Sequence, residues 1–218
     1  MSKARDVGFD RSMIGSYGHD DRVCAYTALM ATADCKDPRY TSVLVLTDKE
    51  ETGSDGNTGL CSSYLQYFIA DLAAAFGQEA RTVLSHSRCL SADVNAAFDP
   101  TFPDVLDPRN AAFLNYGVVV TKFTGARGKS GTSDASAEFV ATIRNLMDEN
   151  QIIWQTGELG KVDMGGGGTV ALYIANMDVD TIDVGVPVMS MHAPMEVVAK
   201  IDVYMAYKAF LAFISDKT

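Results

Sequence analysis

Four times along the chain, an apolar run rich in β-branched residues is followed by a segment whose apolar residues recur at three- and four-residue steps. "TSVLVL" (41–46) precedes "LCSSYLQYFIADLAAAF" (60–76), and "YGVVVTKF" (116–123) precedes "SAEFVATIRNLMDEN" (136–150). "QIIW" (151–154) precedes "TVALYIANM" (169–177), and "TIDVGVPV" (181–188) precedes "PMEVVAKIDVYMAYKAFLAFI" (194–214). A period of two cannot be exchanged for a period of 3.6 without moving the apolar face, so this alternation restricts the chain to strands interleaved with helices. The class expected is α/β, with a mixed, largely parallel sheet and helices on both faces. In the last segment Val197, Val198, Ile201, Tyr204, Met205 and Ala209 form one stripe, read as the core face of a helix.

With 218 residues and 47% apolar content, the chain is long enough for one sizeable domain with its own core. Its net charge of -10 argues against binding nucleic acid or an anionic membrane surface. No stretch is apolar for the twenty or so residues that a membrane span needs, and "MSKARDVGFDRSMIG" has no apolar signal core. Cys24, Cys35, Cys61 and Cys89 show neither zinc-ribbon nor disulfide-framework spacing, which fits a reduced, cytoplasmic setting.

In open α/β sheets, ligands collect where loops leave the carboxyl ends of strands. Four polar clusters fall at such places: "GHDDR" (18–22), "DKEETG" (48–53), "SADV" (91–94) and "SMHAPME" (190–196). The second sets two glutamates, Glu50 and Glu51, directly after an apolar run expected to be a buried strand at 43–46, where an unpaired carboxylate is costly. Such a stretch is either a solvated turn or a pair in which one carboxylate holds a metal ion and the other moves protons. Imidazole and carboxylate donors without thiolates suit Zn²⁺ or a related divalent ion, and Asp20, Glu51, Asp93 and His192 offer that set. Adjacent residues leaving a strand face opposite ways, so Glu50 and Glu51 are expected to serve different partners.

Together, "YGHDDRVCAYTAL", "DKEETGS", "LSADVNAAFDP", "KVDMGGGGT" and "SMHAPME" resemble the dizinc aminopeptidases of the aspartyl aminopeptidase and aminopeptidase I family, in the family's order and over nearly the whole chain. The resemblance implies a zinc-exopeptidase-like catalytic domain that removes N-terminal residues from peptides. It implies Asp20 as the carboxylate shared by two zinc ions, Glu51 and His192 as further ligands of one ion, and Asp93 as a ligand of the other. Glu50 becomes the general base acting on a metal-activated bridging water. Co or Mn are alternatives to Zn, and a homo-oligomer is implied for the full-length protein. Gly165, Gly166 and Gly167 border the substrate pocket in this scheme, and Lys129 is either a solvated loop cation or a contact for substrate.

Two departures accompany the resemblance. Family members carry another metal-binding histidine near the start of the catalytic domain, followed by an inserted dimerisation domain, and neither His19 nor His86 matches that motif. The sequence therefore reads as a partial catalytic domain, residues 1–218, incomplete at its amino terminus through expression design, proteolysis or a truncated reading frame. "TGARGKSGTSDA" and "TGELGKVDMGGGG" resemble the aminopeptidase I branch more than the acid-selective one, so a preference for N-terminal Asp or Glu does not follow.

Plainer alternatives stand beside these. Asp93 can cap a helix begun by "DVNAAF", and Asp21 and Arg22 suit a local ion pair or cap. His19 and His86 read as structural. "DKEETGSDGNTG" has Gly59 where a calcium loop needs its last Glu, and "GGGGT" lacks the lysine of a phosphate-binding loop. The competing functional reading is an inactive family fragment that folds and holds at most one metal tightly; a simple cation-binding module is a third.

Overall fold

The computed structural model describes residues 3–161 and 163–217. In chain order the elements are β1 (Arg5–Val7), β2 (Met13–Ser16), α1 (His19–Asp34), α2 (Tyr64–Ala75), α3 (Ala80–Ser85), β3 (Arg88–Ser91), β4 (Asn95–Ala96), β5 (Val118–Thr121) and β6 (Phe123–Ala126). There follow β7 (Ser130–Asp134), α4 (Ala137–Glu149), β8 (Trp154–Thr156), β9 (Gly166–Gly167), α5 (Ala171–Ala175), β10 (Asp180–Gly185), β11 (Pro187–Met189), β12 (Glu196–Ala199) and α6 (Lys200–Ser215).

The fold is mixed α/β. Its central sheet has the order β3-β10-β5-β8, parallel at β3–β10 and β5–β8 and antiparallel at β10–β5. This is the mixed, largely parallel sheet expected. A second sheet, β1-β2-β12-β11-β4, is antiparallel except at β11–β4, and a third, β7-β6-β9, is wholly antiparallel, so parallel pairing does not extend across the molecule. Val118 to Thr121 and Thr181 to Gly185 are buried without alternation, because helices and loops cover the central sheet on both faces.

The helices that cover it follow their apolar stripes. In α4, Phe139, Ile143, Leu146 and Met147 are buried along one face, and Ser136 caps the start by accepting from the Phe139 amide at 3.2 Å. Helix α6 packs along α1, where small residues on both helices, Ala31, Ala206 and Ala209, allow close approach. Asp202, buried in the first turn of α6, accepts the amides of Asn115 and Gly117 at 2.8 Å each and so ties that helix to the loop entering β5.

Two expected elements differ. The stripe from Val197 to Ala209 is split: Val197 and Val198 lie in β12, the helix starts at Lys200, and Ile201 and Tyr204 are exposed. Strand pairing with β2 and β11 claims the first two valines before helical periodicity can. The run 41–47 is no strand. It takes no regular structure, makes no backbone hydrogen bond to a described residue, and leaves Val43 and Val45 41% and 42% exposed. A strand exists only with a pairing partner, and none of the described elements supplies one. Beyond it, α2 also exposes Tyr64, Tyr67 and Phe68.

Candidate metal centre

Three turns deliver the site. Strand β2 ends at Ser16 and α1 opens with His19, Asp20 and Asp21. Glu50 and Glu51 begin a short 3-10 turn, Glu50–Thr52, closed by the Gly53 amide donating to the Glu50 carbonyl at 3.0 Å. The turn is not the strand end expected; on a helix of three residues per turn, neighbours such as Glu50 and Glu51 leave the backbone about 120° apart. The third turn joins β11 to β12 and carries His192.

Asp20, Glu51 and His192 converge. The His192 Nε2 lies 2.8 Å from the Asp20 Oδ2 and 3.2 Å from the Glu51 Oε1, and one donor atom from each residue lies within 4.8 Å of the others. One imidazole and two carboxylates without a thiolate are a fitting donor set for a zinc-like ion, with an open position for water.

Asp93 lies outside this triad but close enough for the charges of Asp21, Glu50 and Asp20 to act on it. It sits between β3 and β4, so no helix begins there and the capping alternative is not realised. Gly185 of β10 makes room for it, since a Cβ at that position would meet the Asp93 carbonyl oxygen at 1.6 Å.

The electrostatics of the cluster are one-sided. Burial, and then the Glu51 charge, push Asp20 up to about 7; burial pushes Asp21 up to about 8. Burial holds Asp93 well above the carboxylate range, with Asp21, Glu50 and Asp20 adding repulsion, and raises Glu50 in the same way with help from Glu51. Asp183 of β10, buried beneath them, is pushed up to about 6 by burial, while Ser91 and Thr169 pull it back, and its Oδ1 has no hydrogen-bond partner. Among the described residues no lysine or arginine pairs with any of these acids; His192 alone does. Such a cluster is short of positive charge, which a divalent cation supplies.

Beside the triad runs an open groove of about 620 Å³, lined by His192, Gly165, Gly166 and Gly167 together with Phe102, Val105, Leu106 and Met191. Gly166 has a backbone duty as well: it pairs with Ala126 in the third sheet, where a Cβ would meet the Gly125 carbonyl oxygen at 2.2 Å. Lys129 is not brought to the groove; it lies exposed on the turn between β6 and β7. His19 and His86 are structural, meeting the carbonyls of Ile14 at 3.2 Å and Thr82 at 2.8 Å. Arg22 lies over the Tyr17 ring, 5.6 Å from its centroid, and makes no ion pair with Asp21. Sequence reasoning gave Asp21 a local ion pair or cap and passed over two buried acids, Asp183 and Glu196, because nothing local to them in the sequence marks their partners.

A family model described as aminopeptidase I zinc metalloprotease (M18) matches residues 1–214. The chain belongs to the M18 aminopeptidase family. This M18 chain is 45% identical over 218 residues to a probable M18 family aminopeptidase 1 of Clostridium acetobutylicum, covering 98% of the chain and 47% of that protein. It is 47% identical over 217 residues to one of Borreliella burgdorferi, covering 96% and 47%. The crystal structure of aminopeptidase I from Clostridium acetobutylicum superposes with a TM-score of 0.93 at 46% identity, over 99% of this chain and 47% of that one. That of an M18 aminopeptidase from Thermotoga maritima gives 0.95 at 42%, over 99% and 49%. The chain thus spans about half the length of the relatives it matches.

Proposed function

We propose that residues 1–218 are the metal-bearing part of the catalytic domain of a zinc aminopeptidase that releases N-terminal amino acids from peptides. The observation that carries this is the convergence of Asp20, Glu51 and His192 inside a cluster of acids with which no lysine or arginine pairs among the described residues. In this reading Asp20, Glu51 and His192 hold one ion, and Asp93, with Asp20 shared, belongs to a second. A bound divalent ion supplies Lewis-acid polarisation of the scissile carbonyl and an activated water. Glu50 takes the proton from the attacking water and returns it to the leaving amine. Its carboxyl, raised by burial and by Glu51, is tuned toward that exchange. Gly165 to Gly167 and the apolar wall of Phe102, Val105 and Leu106 receive the N-terminal residue, and among the described residues no lysine or arginine lines that groove to favour an acidic one. Zn is the expected metal, with Co or Mn as substitutes, and the whole protein is assigned as a cytoplasmic homo-oligomer.

A second reading, an inactive fragment holding at most one ion tightly, is favoured by the asymmetry of the donors: three residues converge on one position, while Asp93 has no imidazole beside it among the described residues. Elemental analysis after dialysis, with leucyl and aspartyl substrates assayed in parallel, tests both. One tightly held zinc with little turnover from this chain is expected, and any turnover should be faster on the leucyl substrate. A chain that holds no zinc overturns the metal reading; two tightly held ions with rapid turnover overturn the fragment reading.

A further inference from the structure

Glu196 is 2% exposed, yet no lysine or arginine pairs with its carboxylate among the described residues. Its two oxygens are spent on two backbone amides. Oε2 accepts from the Asp20 N–H at 3.0 Å, and Oε1 accepts from the His192 N–H at 2.8 Å. Those two residues lie 172 positions apart in sequence, and they are the ones whose side chains meet at 2.8 Å in the triad.

The sheet explains how one side chain reaches both. Glu196 opens β12, the strand between β2 and β11 in the second sheet, and it is paired directly with Ser16 at the end of β2. Strand β2 runs on into Asp20, and β11 runs on into His192. The glutamate therefore stands between the two chain segments that leave the sheet to form the site. His192 also has a left-handed backbone, φ 65°, which a non-glycine residue keeps only when its surroundings hold it there.

We propose that Glu196 is a positioning residue for the metal centre, fixing the backbones of Asp20 and His192 relative to each other so that the ligand geometry exists before an ion binds. The proposal rests on the metal reading above. Without Glu196, the turn bearing His192 keeps its neighbours in the sheet but loses the tie to Asp20. The ion must then order that turn at the cost of affinity. Loss of a partner that orients metal ligands typically weakens binding by about 10–100-fold.

The test uses Glu196→Gln, which keeps shape but turns an amide toward a backbone donor, and Glu196→Asp, which keeps the charge but shortens the reach. Val198→Ala is the control: it opens a cavity on the same strand at a fully buried side chain whose register partners are Ile14 and Val188. Zinc affinity is measured by competition with a chromophoric chelator at a temperature where thermal melts show each variant folded, and amide exchange is read on the metal-free proteins. Glu196→Gln should bind zinc about 10–100-fold more weakly and lose protection at the Asp20 and His192 amides, with Glu196→Asp intermediate. Val198→Ala should melt earlier but bind within about twofold of wild type. Glu196 variants that bind like wild type, or a Val198→Ala loss as large as theirs, overturn the positioning role. Wild-type protein that takes up no zinc overturns the metal reading beneath it instead.

Discussion

At the scale of single residues, Glu50 and Glu51 have separate surroundings despite being neighbours. Glu51 meets His192 at 3.2 Å, whereas Glu50 makes no ion pair with a described residue and lies close enough to Asp93 for its charge to act there. Glu50→Gln should therefore leave zinc affinity within a few-fold of wild type while lowering turnover by at least about two orders of magnitude in an active, longer chain. Parallel chelator titrations and kcat measurements check this, and equal loss of both would make Glu50 a ligand. Glu51→Ala and His192→Ala should each deplete the same ion, as counted by elemental analysis; depletion of different ions would break the assignment of the triad. The types and order of these residues were legible in the sequence, because each occupies a polar turn after an apolar run. Glu196 and Asp183 were not, since a buried carboxylate is recognisable only from the amides and hydroxyls that surround it, and those come from distant segments.

At the scale of elements, the sequence revealed those whose pattern is self-contained. Helix α4 has its cap and its apolar face within fifteen residues, and the valines of β5 are buried as their run implies. Residues 41–47 carry an equally persuasive strand pattern without becoming a strand, because pairing depends on a neighbour that a local pattern cannot supply. The amides of residues 42–47 should accordingly exchange with solvent at nearly unprotected rates, and Val45→Lys should leave the melting temperature within about 1 °C while reducing self-association. Protected amides there would mean that the segment is paired in solution. The reverse holds at the start of α6, where a short polar side chain carries a long-range duty. Asp202→Ala strands the amides of Asn115 and Gly117, each costing about 1–3 kcal/mol, so a melting point lowered by roughly 5–20 °C is expected.

At the scale of the whole molecule, a chain of net charge -10 has gathered five acids whose carboxyls burial pushes upward around one point. Asp20 is pushed up to about 7, Asp21 to about 8 and Asp183 to about 6, with Asp93 and Glu50 displaced the same way. Unfolded, these groups titrate near 4, so between roughly pH 4 and 8 the metal-free folded state binds more protons than the unfolded state. Stability from this source is full below about pH 4 and drains away as pH rises through 6 to 8. The metal-free protein should therefore melt at a lower temperature at pH 8.5 than at pH 5.5. A divalent ion takes the place of those protons and competes with them, so zinc should stabilise more at pH 8.5 than at pH 5.5. At a free zinc concentration of 100 times the dissociation constant, the increment is about 2.7 kcal/mol, or on the order of 5–10 °C. His192→Ala should erase the zinc increment but keep the pH trend, because the trend belongs to the acids and the increment to the triad. Melting curves at both pH values, with and without zinc, decide it: a metal-free protein that gains stability toward pH 8.5 would show that the acids already have a cationic partner.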